Sequence, residues 1–200
     1  MPKKPKPNKL RCFVGLKYSL LEQLQPLIDD LKACANDENN KLRITPPQNL
    51  HITLKFLGSA NEDQLPSIKL LLGELASKYH SFELQCRGIG IFKNSIWVGI
   101  EPEDYLTSIA SELNDSFASL GFNAEQKPYI PHVTLARFGQ QAKIGLSAMQ
   151  EKYVGKQWGN IKVEKFYLYK SDTIPEGARY TILKGFKFDS GAIASKPETP

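Results

Sequence analysis

Two of the three histidines in this 200-residue chain sit in one repeated local pattern. Leu50-His51-Ile52-Thr53-Leu54 runs on to Gly58, and Pro131-His132-Val133-Thr134-Leu135 runs on to Gly139. Both read His-[Ile/Val]-Thr-Leu-x-x-[Leu/Phe]-Gly. In an extended chain, residues i and i+2 point the same way. His51 and Thr53 therefore share a face, with Ile52 and Leu54 opposite; His132 and Thr134 share another, with Val133 and Leu135 opposite. One face of each strand is apolar and suits a core. The other presents an imidazole beside a hydroxyl.

Two such strands facing one cleft would supply two imidazoles and two hydroxyls. That set suits phosphoryl chemistry on a 2',3'-cyclic phosphate. A neutral imidazole takes a proton from attacking water, and a protonated one gives a proton to the departing ribose oxygen. An unperturbed imidazole pKa of about 6.5 serves both tasks. The threonine hydroxyls of Thr53 and Thr134 can donate hydrogen bonds to the non-bridging oxygens. The residues alone leave open which imidazole is the acid. A pair of histidines could also begin a metal site, but local spacing offers no third ligand. No metal and no cofactor are expected. His80, in Lys-Tyr-His-Ser-Phe between a helix and a strand, reads as a surface residue.

The elements that must position these groups follow from periodicity. Residues 10–16 form a first strand. Ser19 and Glu22 form a capping box ahead of a helix carried by Leu20, Leu21, Leu24, Leu27, Ile28 and Leu31. A polar break spans 36–40, and Pro46-Pro47 leads into an extended stretch from Leu50 to Leu57 that ends at Gly58. Asn61 with Gln64 opens a second helix, with Pro66 tolerated in its first turn. Phe82, Leu84 and Cys86 alternate, and Gly88 shifts the phase before Ile89 and Ile91. A turn at Lys93-Asn94 leads to a strand with Ile96, Val98 and Ile100. Leu106, Ile109, Leu113, Phe117 and Leu120 make a third helix stopped by Gly121. Residues 130–138 are extended and end at Gly139, a weaker helix covers 144–153, and two last strands cover 163–170 and 179–188. The order strand-helix-strand-helix-strand therefore occurs twice, and the chain reads as duplicated.

Composition bounds the rest. Two hundred residues make one domain, or two small lobes sharing one body. Apolar residues at 41% and charged residues at 24% are ordinary globular values. No apolar run approaches the ~18–20 residues that span a bilayer, and Met-Pro-Lys-Lys-Pro-Lys-Pro-Asn-Lys lacks the apolar core of a secretory signal. Membrane, collagen-like and disordered chains are excluded. The net charge of +5 is mostly local: with the four lysines of the first nine residues set aside, 22 basic residues face 21 acidic ones. Residues 1–9 read as a solvated basic tail, 10–189 as one folded unit and 190–200 as an aperiodic tail. Three cysteines at wide spacing with no Cys-x-x-Cys point to reduced thiols in a cytoplasmic protein.

The paired motifs resemble those of the 2H phosphoesterases, and most closely the LigT-like RNA 2',3'-cyclic phosphodiesterases, also called 2'-5' RNA ligases. The resemblance runs from about Leu10 to Phe188 and includes RCFVGL, NLHITLKFLG, SIWVGI, PHVTLAR, FYLYKS and RYTILKG. It implies an α/β (α+β) fold of two pseudo-symmetric lobes. Each lobe is a mainly antiparallel sheet with helices outside, and each sends one His-x-Thr strand into a central cleft. It implies metal-independent hydrolysis of RNA or nucleotide 2',3'-cyclic phosphate ends to 2'-phosphates, with 2'-5' RNA joining as the reverse reaction. His51 matches the proton donor and His132 the acceptor. Arg137 matches an arginine near the phosphate; simple alternation puts it on the face opposite His132, so a bend is needed. Phe13 matches an aromatic that could stack on a base, against its reading as a core residue. The expected partners are RNA cyclic phosphate ends or small cyclic nucleotides, and a monomer is expected. The alternative is a nucleotide or RNA-end binding module of the same fold without turnover.

Overall fold

The computed structural model describes residues 8–35, 42–101, 103–139, 146–175 and 177–189. The first strand, β1 (Lys9–Lys17), alternates Cys12, Val14 and Leu16 into the core. Asn8 and Lys9 belong to the fold rather than to a tail: Asn8 Nδ2 donates to Glu62 Oε1 at 2.9 Å, and Lys9 pairs with Asn61. The remaining residues of that expected tail, the 36–40 break, Ile144 and the 190–200 segment lie outside the described residues.

Helix α1 (Gln25–Ala35) starts later than the expected Ser19–Glu22 capping box. That box does not form; a 3₁₀ turn at Glu22–Leu24 precedes the helix without a side-chain cap. Pro26, which lacks an amide donor, falls in the first turn, where no intrahelical partner is needed. Leu24, Leu27 and Leu31 are fully buried, as the spacing required.

A short strand β2 (Arg43–Ile44) and a 3₁₀ turn at Pro47–Asn49 lead into β3 (His51–Asn61). Gly58 does not end β3. It takes φ +68 at a bulge and the strand continues for three residues, because glycine accepts that conformation without strain. The Asn61–Gln64 capping box is present, with Asn61 N–H donating to Gln64 Oε1 at 2.9 Å. It opens α2 (Leu65–Ala76), which buries Ile68, Leu72 and Leu75.

Strands β4 (Phe82–Phe92) and β5 (Ser95–Glu101) form a hairpin, and the register shifts at Gly88 as its position implied. Helix α3 (Glu103–Ser119) buries Leu106, Ile109, Leu113 and Phe117, while Leu120 is exposed past its end. Its stop is a Schellman turn. Gly121 (φ +84) donates to Ala118 O, Phe122 donates to Phe117 O, and the two phenyl rings meet edge-on at 5.7 Å. Strand β6 (His132–Arg137) and helix α4 (Leu146–Tyr153) follow.

Strand β7 (Gln157–Val163) was not legible in the sequence. Its buried residues Trp158, Ile161 and Val163 break the period of two, because the register slips at Trp158 against β4. The last hairpin is β8 (Lys165–Ile174) with β9 (Gly177–Lys187).

The strands join in the order β7-β4-β5-β6-β3-β1-β8-β9, with β2 attached to β6, and every pairing between them is antiparallel. The class is therefore α+β, a mostly antiparallel curled sheet with helices. One apolar cluster lies between the sheet and the helices, and it includes residues of both halves. The halves in space are not the halves of the sequence. β4 ends the first repeat but pairs with β5 of the second, and β8 of the second pairs with β1 of the first.

Candidate active site

The halves join where the two motifs meet. β3 and β6 share the rung Ile52–Val133, so the residue between His and Thr in one motif pairs with its counterpart in the other. Ile52 and Val133 are fully buried, while His51, Thr53, His132 and Thr134 are half-buried on the face turned away from the helices.

Both strands then bulge at the same point. Val14 pairs with Lys55 and Gly15 with Thr53, leaving Leu54 unopposed; Ile96 pairs with Ala136 and Trp97 with Thr134, leaving Leu135 unopposed. The extra residue reverses the alternation beyond it. Lys55 and Ala136 are buried beside the preceding leucines, and Phe56 and Arg137 emerge. This supplies the bend that Arg137 required: five residues after His132, it returns to the histidine face. Its counterpart five residues after His51 is Phe56, which is 61% exposed. Phe56 was missed; its place in the repeat, matching Arg137, was the available signal. Gly15 allows the close approach here, since a Cβ would lie 2.7 Å from Ile52 O.

The imidazoles are held alike. His51 Nδ1–H donates to Asn49 O at 2.6 Å, and His132 Nδ1–H donates to Ile130 O at 2.7 Å. A carbonyl only accepts, so each Nδ1 carries the proton and each Nε2 is left for chemistry. Asn49 is a second missed residue. It is buried, and its Nδ2 donates to Ala178 O at 2.6 Å, which ties the carbonyl behind His51 to β9. Burial pushes His51 well below the usual imidazole range, to about 4, and the charges of His132 and Arg137 push the same way. Burial also lowers His132, and Arg137 adds to it. The two imidazoles and the guanidinium are thus within electrostatic reach of one another.

Phe13 lies on this face but is only 2% exposed. Its ring stacks on Tyr169 at 4.7 Å, meets Tyr180 edge-on at 5.0 Å and touches the His51 ring at 4.7 Å. Buried to that degree, the ring offers no open face to a base in this structure, and the packing it makes is against His51. The aromatic surface that remains open lies beside it. A cleft of about 560 Å³ reaches Thr53 and His132 and is flanked by Phe56, Phe92 and Tyr129. Its far wall is fixed by Lys55, 4% exposed, whose Nζ donates to Asn114 Oδ1 at 2.8 Å and Asn123 O at 2.7 Å. His80 is half-buried rather than on the surface; its backbone forms an isolated parallel β-bridge with Asp189, and its Nδ1 is buried without a hydrogen-bond partner. Among the described residues, no three His, Cys, Asp or Glu side chains come together as a metal site, and no helix is long and apolar enough to cross a membrane.

The 2'-5' RNA ligase superfamily model matches residues 20–174. The chain is 28% identical over 187 residues to the RNA 2',3'-cyclic phosphodiesterase of Methanothermobacter thermautotrophicus, covering 90% of this chain and 99% of that one. It is 32% identical over 149 residues to that of Methanocaldococcus jannaschii, covering 72% and 83%. Among solved structures, TT0787 of Thermus thermophilus superposes with TM-score 0.73 at 26% identity over 92% of this chain and all of that one. Escherichia coli LigT complexed with 3'-AMP does so with 0.73 at 25% over 90% and 99%. A family match over most of the chain and relatives matched over nearly their whole length agree with the paired motifs: this protein belongs to the 2'-5' RNA ligase superfamily.

Proposed function

We propose that this protein hydrolyses the 2',3'-cyclic phosphate at the end of an RNA or nucleotide to a 2'-phosphomonoester, with His51 as acid and His132 as base. The observation that carries the reading is the matched pair of imidazoles. Each is locked through Nδ1, and each belongs to one of two strands that meet at Ile52–Val133. The naming of the relatives as RNA 2',3'-cyclic phosphodiesterases supports it.

In this mechanism His132 Nε2 takes a proton from water as the water oxygen bonds to phosphorus. The P–O3' bond breaks, and His51 Nε2–H protonates the departing 3'-oxygen. Two protons move, and the phosphate stays on the 2'-oxygen. Thr53 and Thr134 donate to the non-bridging oxygens, and Arg137 offsets the charge that builds there. His51 is neutral in the free protein at neutral pH. An anionic phosphate against Nε2 favours the protonated form, so substrate binding promotes uptake of the proton the acid must give. The base of the terminal nucleotide lies in the cleft beside Phe56 and Phe92, where stacking is worth about 1–3 kcal/mol.

One chain supplies both histidines, both threonines and Arg137, so a monomer suffices, acting in the cytoplasm without a cofactor. The test is turnover of a nucleoside 2',3'-cyclic phosphate in excess EDTA, with the product identified. A 2'-phosphate is expected. Binding without turnover makes the protein a binding module, and rescue by a divalent ion overturns the metal-free mechanism.

A further inference from the structure

Resting on that reading, we propose that the substrate is a single-stranded RNA several nucleotides long, and that its body leaves the site across the helix-free face of β1, β8 and β9. The register defines rows across this half of the sheet. Lys17 pairs opposite His51, and Gly15 opposite Tyr167, so two residues on Lys17 lies across from Lys165; Lys165 pairs with Lys187. The row leaving the catalytic histidine is therefore His51, Lys17, Lys165, Lys187, with strands about 4.8 Å apart. All three lysines are exposed. The next row places a stacking surface beside the cations. Tyr167 packs against Gly185, where a Cβ would come within 3.1 Å of the ring, and Lys165 Nζ stands over the ring, 5.7 Å from its centroid. Lys9 and Arg11 are exposed on the same face further along β1.

The charge is what selects the occupant. Among the described residues, no carboxylate projects from this face of β1, β3, β8 or β9. The nearest one along the chain, Glu164, pairs with Lys162 at 2.7 Å and lies within charge reach of Lys165 and Lys187, so it offsets part of their charge without closing a contact with either. The corresponding face of the other half is mixed: Glu83 opposes Lys162, and Glu101 lies 3.9 Å from Arg87. A chain that is near neutral outside its first nine residues thus concentrates cations on one side of its candidate active site. Cations interleaved with an aromatic platform suit a single-stranded polyanion. A mononucleotide bound at His51 would not reach Lys187.

The experiment compares a cyclic mononucleotide with a heptanucleotide carrying the same cyclic end. It also measures binding of a heptanucleotide ending in an inert 3'-phosphate by fluorescence anisotropy. The wild type is expected to favour the heptanucleotide in kcat/KM. Lys165→Glu with Lys187→Glu is expected to weaken heptanucleotide binding about tenfold, reduce its salt dependence and leave mononucleotide turnover within about twofold, which also reports intact folding. Equal loss on both substrates, no preference in the wild type, an equal effect of Arg87→Glu, or equal competition by polyglutamate overturns the track. Absence of turnover on either substrate overturns the proposed reaction instead, and the binding measurement then still decides the track.

Discussion

Ile52 and Val133 pair across β3 and β6, and each is the middle residue of a His-x-Thr motif. Because both are fully buried, the side chains flanking them are forced to the opposite face. This rung sets two imidazoles and two hydroxyls on one face about a local two-fold relation, and the bulges at Leu54 and Leu135 add Phe56 and Arg137 to it.

His51→Ala and His132→Ala are each expected to lower turnover by about 10²–10⁴-fold, the usual contribution of general acid–base catalysis. Neither change touches the apolar face, but each leaves a backbone carbonyl, Asn49 O or Ile130 O, without its partner, so a melting curve should register a loss of about 1–3 kcal/mol with the fold retained. Full activity in His132→Ala would overturn its role as base.

Both imidazoles are lowered by burial and by Arg137, so in the free protein both titrate below the ordinary value of about 6.5. Since kcat/KM reports the free enzyme, its maximum is expected on the acid side of that value. The limbs belong to the pair rather than to either residue. Bound phosphate favours the protonated forms, so the high-pH limb of kcat should lie higher. Arg137→Gln removes one depressing charge and should move both limbs of kcat/KM upward. A profile flat from about pH 5 to 9 counts against the histidine pair. Stability moves with the same groups. The folded state holds the His51 proton less tightly than the unfolded state, so the denaturant midpoint should fall as pH drops from about 6.5 through about 4.

Phe56→Ala should raise KM by up to about tenfold and leave stability unchanged, because the ring is exposed and stacking is what it loses. Phe13→Ala should instead cost about 3–5 kcal/mol in chemical denaturation. A Phe13 variant of full stability and raised KM would restore the base-stacking role to Phe13.

Lys55→Met should raise KM more than it lowers kcat. Lys55 and Asn114 pin the segment that walls the cleft, and Glu125 N–H also donates to Asn114 Oδ1 at 2.7 Å. The carbonyl of Asn123 is left unpaired, at a cost of about 1–3 kcal/mol, which a melting curve would register. An unchanged KM for a nucleoside cyclic phosphate would separate this wall from substrate binding.

The sequence by itself determined the two motifs, the face each presents and the helices around them. These are local properties: alternation in β3 and β6, helical spacing in α2 and α3, and the Asn61–Gln64 capping box all act within a few residues. Through resemblance it also set Arg137 on the histidine face, while alternation argued against it. Only tertiary structure resolved that conflict, because a bulge exists only against a partner strand, and β5 is what leaves Leu135 unopposed. The same reason hid the role of Phe13. Whether an aromatic on a strand stacks on ligand or supports a histidine depends on Tyr169 and Tyr180, more than 150 residues away in sequence. It hid β7, whose apolar residues fall out of phase where its register slips against β4. It hid the exchange of β4 and β8 between repeats as well, since strand order is set by how the sheet closes over one shared core and leaves no mark on either strand's own residues.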